Sequence, residues 1–285
     1  MAIASRVPRG PVQAKLNYFN PPSDGAKPYN YVDPVTEGQP QRNFDDETHE
    51  VTINDIRGRE SEFSLDNDAF LVVQGVPPSA EKDFTSDESI EANYYPELEK
   101  LLLSQIPGST KVVFFDHTIR RAEPNAHRGP VQRVHIDQTA TSTEKRVRRH
   151  LTGEGEADRL LAGRYRIVNV WRPLNRGPVE SFPLAVASSA SLADEDVVPV
   201  EHRYDSGYLG QTAAIKHNPA HKWYYLSGMT GSERLLLQCF DSESLKEGSA
   251  VKGGRVPHTA FVDPRTHPDA EGRESIEVRA LVFGP

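Results

Sequence analysis

The sequence holds a single cysteine, Cys239, among 285 residues. One thiol excludes a disulfide framework and a cysteine-rich zinc site. Cys239 sits in the apolar run Leu235-Leu236-Leu237-Gln238-Cys239-Phe240, where a buried core thiol is the expected state. Long apolar stretches are also missing: none reaches the ~20 residues that a bilayer-spanning helix needs. The N-terminal MAIASRVPRGPVQAKL lacks the apolar core of a signal peptide, so a soluble, cytoplasmic protein is expected. Positive charge is short as well, with 33 Lys and Arg against 41 Asp and Glu, a net −8. Such a chain is a poor match for phosphate backbones, so no nucleic acid is expected as partner. The one basic run, Lys145-Arg146-Val147-Arg148-Arg149-His150, reads as a solvated helix face. Glycine-rich phosphate loops and Ser/His/Asp or Cys/His nucleophile motifs are absent too.

What is present is a succession of short strand patterns. Residues 1–48, rich in Pro, Asn, Asp and Gly, read as an extended N-terminal arm with little regular structure, anchored by Tyr18, Phe19, Tyr29 and Tyr31. Residues 49–56 alternate at period two, and 69–73 form a short apolar run. Residues 86–106 predict a helix, with Ser86 or Asp87 as cap and Pro107-Gly108 as stop. Strands follow at 111–116 and 131–137. Thr143 opens a polar helix, a second short helix ends near Leu161 before Gly163, and 164–172 is a strand stopped by Pro173. Further strands are expected at 183–187, 198–204, 211–217, 222–227, 234–240, 258–262 and 274–283. Many strands and few helices predict a mainly β barrel or sandwich, with 49–285 as a single domain behind the arm.

Three features carry chemistry. In a strand, His135 and Asp137 of His135-Ile136-Asp137 point to one face. His258 opens a later apolar strand. Two imidazoles and one carboxylate on one side of a metal leave the other side open, which suits iron(II) that must also hold a cosubstrate and O₂. Third, Arg273 and Ser275 share a face at the start of the last strand, and a guanidinium with a hydroxyl makes a clamp for a dicarboxylate.

In this order the sequence resembles the iron(II)/2-oxoglutarate-dependent oxygenases of the double-stranded β-helix (jelly-roll) fold. Within them it resembles the fungal hydroxylase/desaturase group that includes gibberellin desaturase-like and cephamycin-methoxylation-protein-like enzymes. The resemblance runs from about residue 15 to the end. It rests on Val134-His135-Ile136-Asp137-Gln138-Thr139, Asn169-Val170-Trp171-Arg172-Pro173-Leu174, Trp223-Tyr224-Tyr225-Leu226-Ser227, His258-Thr259-Ala260-Phe261 and Arg273-Glu274-Ser275-Ile276-Glu277-Val278-Arg279-Ala280. It implies a jelly-roll core with flanking helices, Fe(2+) on His135, Asp137 and His258, 2-oxoglutarate anchored by Arg273 with Ser275, and O₂ as oxidant. The implied outcome is hydroxylation or desaturation of a small molecule, in secondary metabolism. Residues 143–163 insert a helical element that lengthens the gap from Asp137 to His258. Arg279 and Arg172 are further candidates for the anchor.

Asn169 and Arg172 flank Trp171. Arg172 fits a pocket-facing carboxylate binder and a structural ion pair equally well. Trp223, Tyr224 and Tyr225 read as packing. His217 and His221 lie in a turn that does not suit a metal, and Asp263 and His267 read as solvated. Two other functions stay open: a β-barrel ligand-binding protein without turnover, and a cupin-like metalloenzyme that does not use 2-oxoglutarate.

Overall fold

The computed structural model describes residues 6–123, 126 and 128–284; the first five residues of the expected arm lie outside this range. In chain order the strands are β1 (Val12–Asn20), β2 (Tyr29–Tyr31), β3 (Asp45–Asp55), β4 (Phe70–Val73), β5 (Lys111–Arg121), β6 (His135–Ile136), β7 (Tyr165–Pro173), β8 (Leu184–Ala187), β9 (Val197–Arg203), β10 (Leu209–Ile215), β11 (Trp223–Tyr225), β12 (Arg234–Asp241), β13 (His258–Ala260) and β14 (Glu274–Phe283). The α-helical segments are α1 (Leu65–Asp68), α2 (Asp87–Ser89), α3 (Tyr95–Gln105), α4 (Ala140–His150) and α5 (Glu156–Leu161).

The strands form two sheets, a nine-stranded one in the order β1-β3-β11-β8-β13-β6-β10-β9-β2 and a five-stranded one in the order β4-β12-β7-β14-β5. Two core clusters join them. One brings Ile136, Ala213 and Trp223 of the large sheet against Ile167, Phe240 and Leu281 of the small one. The other sets Val186 and Leu226 against Trp171, Leu235 and Leu237. The far face of the small sheet is covered by α3, whose Leu98 and Leu102 pack on Val168, Val170, Leu236 and Val278. Because both faces of this sheet are buried, β12 is buried at every residue, which is why its sequence is a continuous apolar run rather than an alternating one. This is the jelly-roll core with flanking helices expected from the sequence. Among the described residues no helix is long and apolar enough to cross a membrane.

Three local expectations need correction. Residues 12–20 hold more regular structure than expected of the extended arm: β1 pairs with β3 over nine residues. Its inward set Val12, Ala14, Leu16 and Tyr18 alternates with Gln13, Lys15 and Asn17, a period-two signal masked by the Pro- and Gly-rich flanks. Residues 131–134 do not join β6, because their hydrogen bonds go to different neighbours: Val134 N–H donates to Asn17 and the Val131 carbonyl accepts from Ala260. No continuous ladder can form. Helix α4 begins at Ala140 rather than Thr143, because Thr139 caps it, accepting from Ser142 N–H while the Ser142 hydroxyl accepts from Thr139 N–H. The 86–106 helix runs as expected from a Ser86 cap, but a π turn over Ile90–Tyr94 separates α2 from α3.

Candidate metal centre

Neighbouring strands bring the two distant histidines together. β13 pairs antiparallel with β6, and His258 stands directly opposite His135. Directly opposed side chains begin about 5 Å apart, and here the ring centroids are 4.4 Å apart. Asp137 follows two residues on. Its Oδ1 lies 3.4 Å from His135 Nε2 and 4.0 Å from His258 Nε2. The three potential donor atoms all lie within 4.8 Å of one another, and this is the only such group of three or more metal-binding side chains among the described residues.

The donor atoms are prepared for a metal. His135 Nδ1 bonds the Arg133 carbonyl at 2.8 Å and His258 Nδ1 bonds the Val256 carbonyl at 3.1 Å. A carbonyl only accepts, so each Nδ1 carries the proton and each Nε2 presents a lone pair. His258 Nε2 is buried with no hydrogen-bond partner. Burial, then the adjacent His135, push the His258 imidazole down, which keeps it neutral. Burial alone would raise the Asp137 carboxyl, but the Arg279 guanidinium beside it holds it well below the usual range. Two neutral imidazoles and an ionised carboxylate, with one orphaned nitrogen, fit a divalent transition metal.

Behind the carboxylate lies a polar lock. Asp137 Oδ2 accepts from Arg279 Nε at 2.6 Å and from Asn169 Nδ2 at 2.8 Å. Asn169 also donates to Glu277 Oε1 at 2.8 Å, and Arg279 to Glu277 Oε2 and Asp116 Oδ1 at 3.0 Å each. Oδ2 is therefore saturated, and Oδ1 remains able to take a metal.

The row Arg273, Ser275, Glu277 and Arg279 shares one face of β14 and its leading residue. Arg279 is committed to three carboxylates. Arg273, 2% exposed, has none among the described residues: it donates to the Phe182 carbonyl at 2.7 Å, its Nε has no partner there, and its guanidinium lies 5.5 Å from the Trp171 ring centre. Burial, then the nearby Arg120, push it down to about 9, so it remains charged at neutral pH. The carbonyl that holds it belongs to a residue with φ 47°, a conformation that costs a bulky side chain about 1–3 kcal/mol.

Arg172 does not join this group. On β7 Asn169 touches Asp137, and Arg172 falls on the opposite face by strand alternation, with its guanidinium over the Phe84 and Tyr94 rings at 5.0 and 5.6 Å. It therefore holds no carboxylate at the metal centre, and it has no ion-pair partner among the described residues. Asp263, expected to be solvated, is 3% exposed and bonded to Arg265. Trp223 and Tyr225 are core residues, and burial pushes the Cys239 thiol well up, as befits an inert core position.

Two site residues escaped sequence reasoning. Arg120 pairs in register with Ser275, and burial pushes its guanidinium down. The signal was the alternation Asp116-Thr118-Arg120 beyond the expected end of β5. His202, on β9, is pushed down by burial and feels Asp137 and His135; it bonds Thr212 at 2.9 Å.

Comparison with known proteins agrees with this geometry. A family model described as an oxidoreductase/YMDC permease-like domain matches residues 16–283. The chain is 40% identical to the hydroxylase/desaturase poxK of Penicillium oxalicum, over 97% of this chain and 92% of that protein. It is 34% identical to the alpha-ketoglutarate-dependent dioxygenase phiK of a fungal species, over 96% of both chains. The solved structure of the iron and alpha-ketoglutarate-dependent endoperoxidase NvfI superposes with a TM-score of 0.84 at 30% identity, covering 97% of this chain and 99% of that one. With its fold, its convergent His-Asp-His set and these relatives, the chain belongs to the iron(II)/2-oxoglutarate-dependent oxygenases, in the group of the fungal hydroxylase/desaturases of secondary metabolism.

Proposed function

We propose that His135, Asp137 and His258 hold the iron(II) of this oxygenase, that Arg273 with Ser275 clamps the distal carboxylate of 2-oxoglutarate, and that a small secondary metabolite is hydroxylated or desaturated there. The observation that carries this reading is the register of β6 and β13, which sets His258 opposite His135 with both Nδ1 protons tied to backbone carbonyls. Iron with 2-oxoglutarate and O₂ supplies the power to oxidise a C–H bond. The chain's own residues position and exclude water. Asn169 and Arg279 keep Asp137 turned so that one oxygen faces the imidazoles. The core around Trp171, Val186 and Leu237 keeps the inner side dry. His135, with a side chain 22% exposed, is the least buried of the three and marks the side open to substrate.

Arg273 fits the clamp because it is a buried cation without a counterion, a state that a bound carboxylate relieves. Arg279 does not fit, being saturated by Asp137, Glu277 and Asp116. The test is an anaerobic iron(II) titration with 2-oxoglutarate, followed by succinate formation in air. A weak visible absorption band is expected on adding 2-oxoglutarate and is lost in His135→Ala. Arg273→Ala raises the 2-oxoglutarate requirement far more than Arg279→Ala. Absence of both band and succinate from iron-loaded protein would remove the reading, and the reverse ranking of the arginines would move the clamp.

A further inference from the structure

The far face of the small sheet carries an arrangement that the oxygenase site does not use. Arg172 near the end of β7 and Arg234 at the start of β12 sit one position beyond the Leu235–Trp171 pair, opposite each other on adjacent strands. Like charges in that relation destabilise a sheet. Neither has a carboxylate partner among the described residues. Arg234, 1% exposed, donates to the Gly231 and Glu233 carbonyls at 2.7 and 2.9 Å, and its Nε has no acceptor. Arg172 Nε and Nη1 also have none. Both guanidinium groups lean on the ring of Tyr94, at 5.6 and 5.9 Å, and the buried Tyr94 hydroxyl lies between their fields without a hydrogen bond of normal geometry.

The surrounding chain is built around this pair. Tyr94 closes the π turn. Phe84, whose ring lies 5.0 Å below Arg172, is held at φ 50°. Such conformations in bulky residues persist only where the surroundings impose them. Beside Arg172 opens a cavity of about 290 Å³, lined also by Ser79, Lys82, Asn175 and Gly231. The acids on its wall are engaged or solvated. Glu81 accepts from the Asp83 and Phe84 N–H groups and from Ser89, Glu274 is bonded to Arg121 at 3.0 Å, and Asp83 is exposed. Glu97, the acid that Arg234 feels, accepts from Ala80 N–H. A buried cation, a half-buried one with two buried unmet donors, and a polar cavity beside the latter have one common remedy, an anion.

We propose that this cavity is a second anion site, distinct from the metal centre, in which Arg172 holds the carboxylate or phosphate group of a small molecule. Gly231 supplies the room. A side chain on it would begin 3.6 Å from Arg172 Nη2 and meet nothing else within 4 Å.

The test is the thermal midpoint of the metal-free protein against inorganic phosphate, and separately succinate, at constant ionic strength. Stabilisation by a ligand at a hundredfold excess over its Kd corresponds to a rise of about 5 °C for a domain of this size, and the rise keeps growing with the logarithm of the ligand concentration. The rise should persist in Arg273→Gln, which disables the proposed cosubstrate clamp, and vanish in Arg172→Gln. Phosphate and succinate together separate a phosphate ligand from a carboxylate one. Should Arg172→Gln fail to fold, Gly231→Asp answers the same question by placing a carboxylate beside the guanidinium. That variant should melt higher without phosphate and respond to it no further. No concentration-dependent rise with either anion, a rise lost in Arg273→Gln, or an unchanged response in Arg172→Gln or Gly231→Asp would overturn the proposal.

Discussion

One guanidinium neutralises the carboxylates behind the metal site, so removing it should be costly in a way that depends on which carboxylates remain. Arg279→Met keeps much of the bulk and removes the charge. Asp137, Glu277 and Arg279 have side chains only 10–11% exposed, and the Arg279–Glu277 contact is 3.0 Å. At an effective dielectric of 20 that contact carries about 5 kcal/mol of gross attraction, much of it offset by the desolvation of both groups. Removing one partner leaves that cost unmet, and about 3–5 kcal/mol of destabilisation is expected. If the charge left on Glu277 is the cause, Glu277→Gln should rescue part of the loss, because Gln still accepts from Asn169 without carrying charge. A double-mutant cycle by urea unfolding of the metal-free protein should give about 2 kcal/mol of coupling. In the same variants, iron(II) affinity should fall about 10–100-fold in Arg279→Met, because Asp137 Oδ2 loses the group that fixes it. Additivity within about 0.5 kcal/mol, or unchanged iron affinity, would refute the lock.

Two further outcomes follow from packing and burial. Burial pushes the imidazoles of His150, His202, His217, His221 and His258 below their usual value. Between those lowered values and the unfolded value of about 6.5, the unfolded chain binds more protons, so stability rises with pH there, by up to about 1.4 kcal/mol per pH unit for each group, and is complete above it. The urea midpoint of the metal-free protein should change little above about pH 7 and fall from about pH 6.5 to 5.5, and a flat profile across that lower window would contradict the burial of these rings. Gly253→Ala places a Cβ 1.6 Å from the Leu65 carbonyl oxygen, backbone against backbone, and should cost more than about 4 kcal/mol, whereas Gly177→Ala, with open space around it, should melt close to the parent.

The candidate ligand residues were legible because strand geometry is local. A His-x-Asp on an alternating strand must present both groups to one side, and the polar Arg273-Ser275-Glu277-Arg279 row announces itself by period two. The strand β1 was less legible, since its alternation lies between Pro- and Gly-rich segments. Neither the partner of each arginine nor the face of Arg172 could be read. Arg172, Arg273 and Arg279 are the same residue type on or beside similar strands, and only neighbouring strands decide that one is saturated by carboxylates, one is buried without any, and one faces the opposite side of the sheet.

The sequence by itself determined the strand-rich class, the reduced core thiol and the identity of the residues able to bind a metal, because composition and alternation depend on neighbours along the chain. The pairing of β6 with β13 that turns two imidazoles 123 residues apart into one site, and the pairing of β5, β14 and β7 that assigns each guanidinium its partner, were decided only by the tertiary structure. Hydrogen-bond register between distant strands leaves no local trace in either of them.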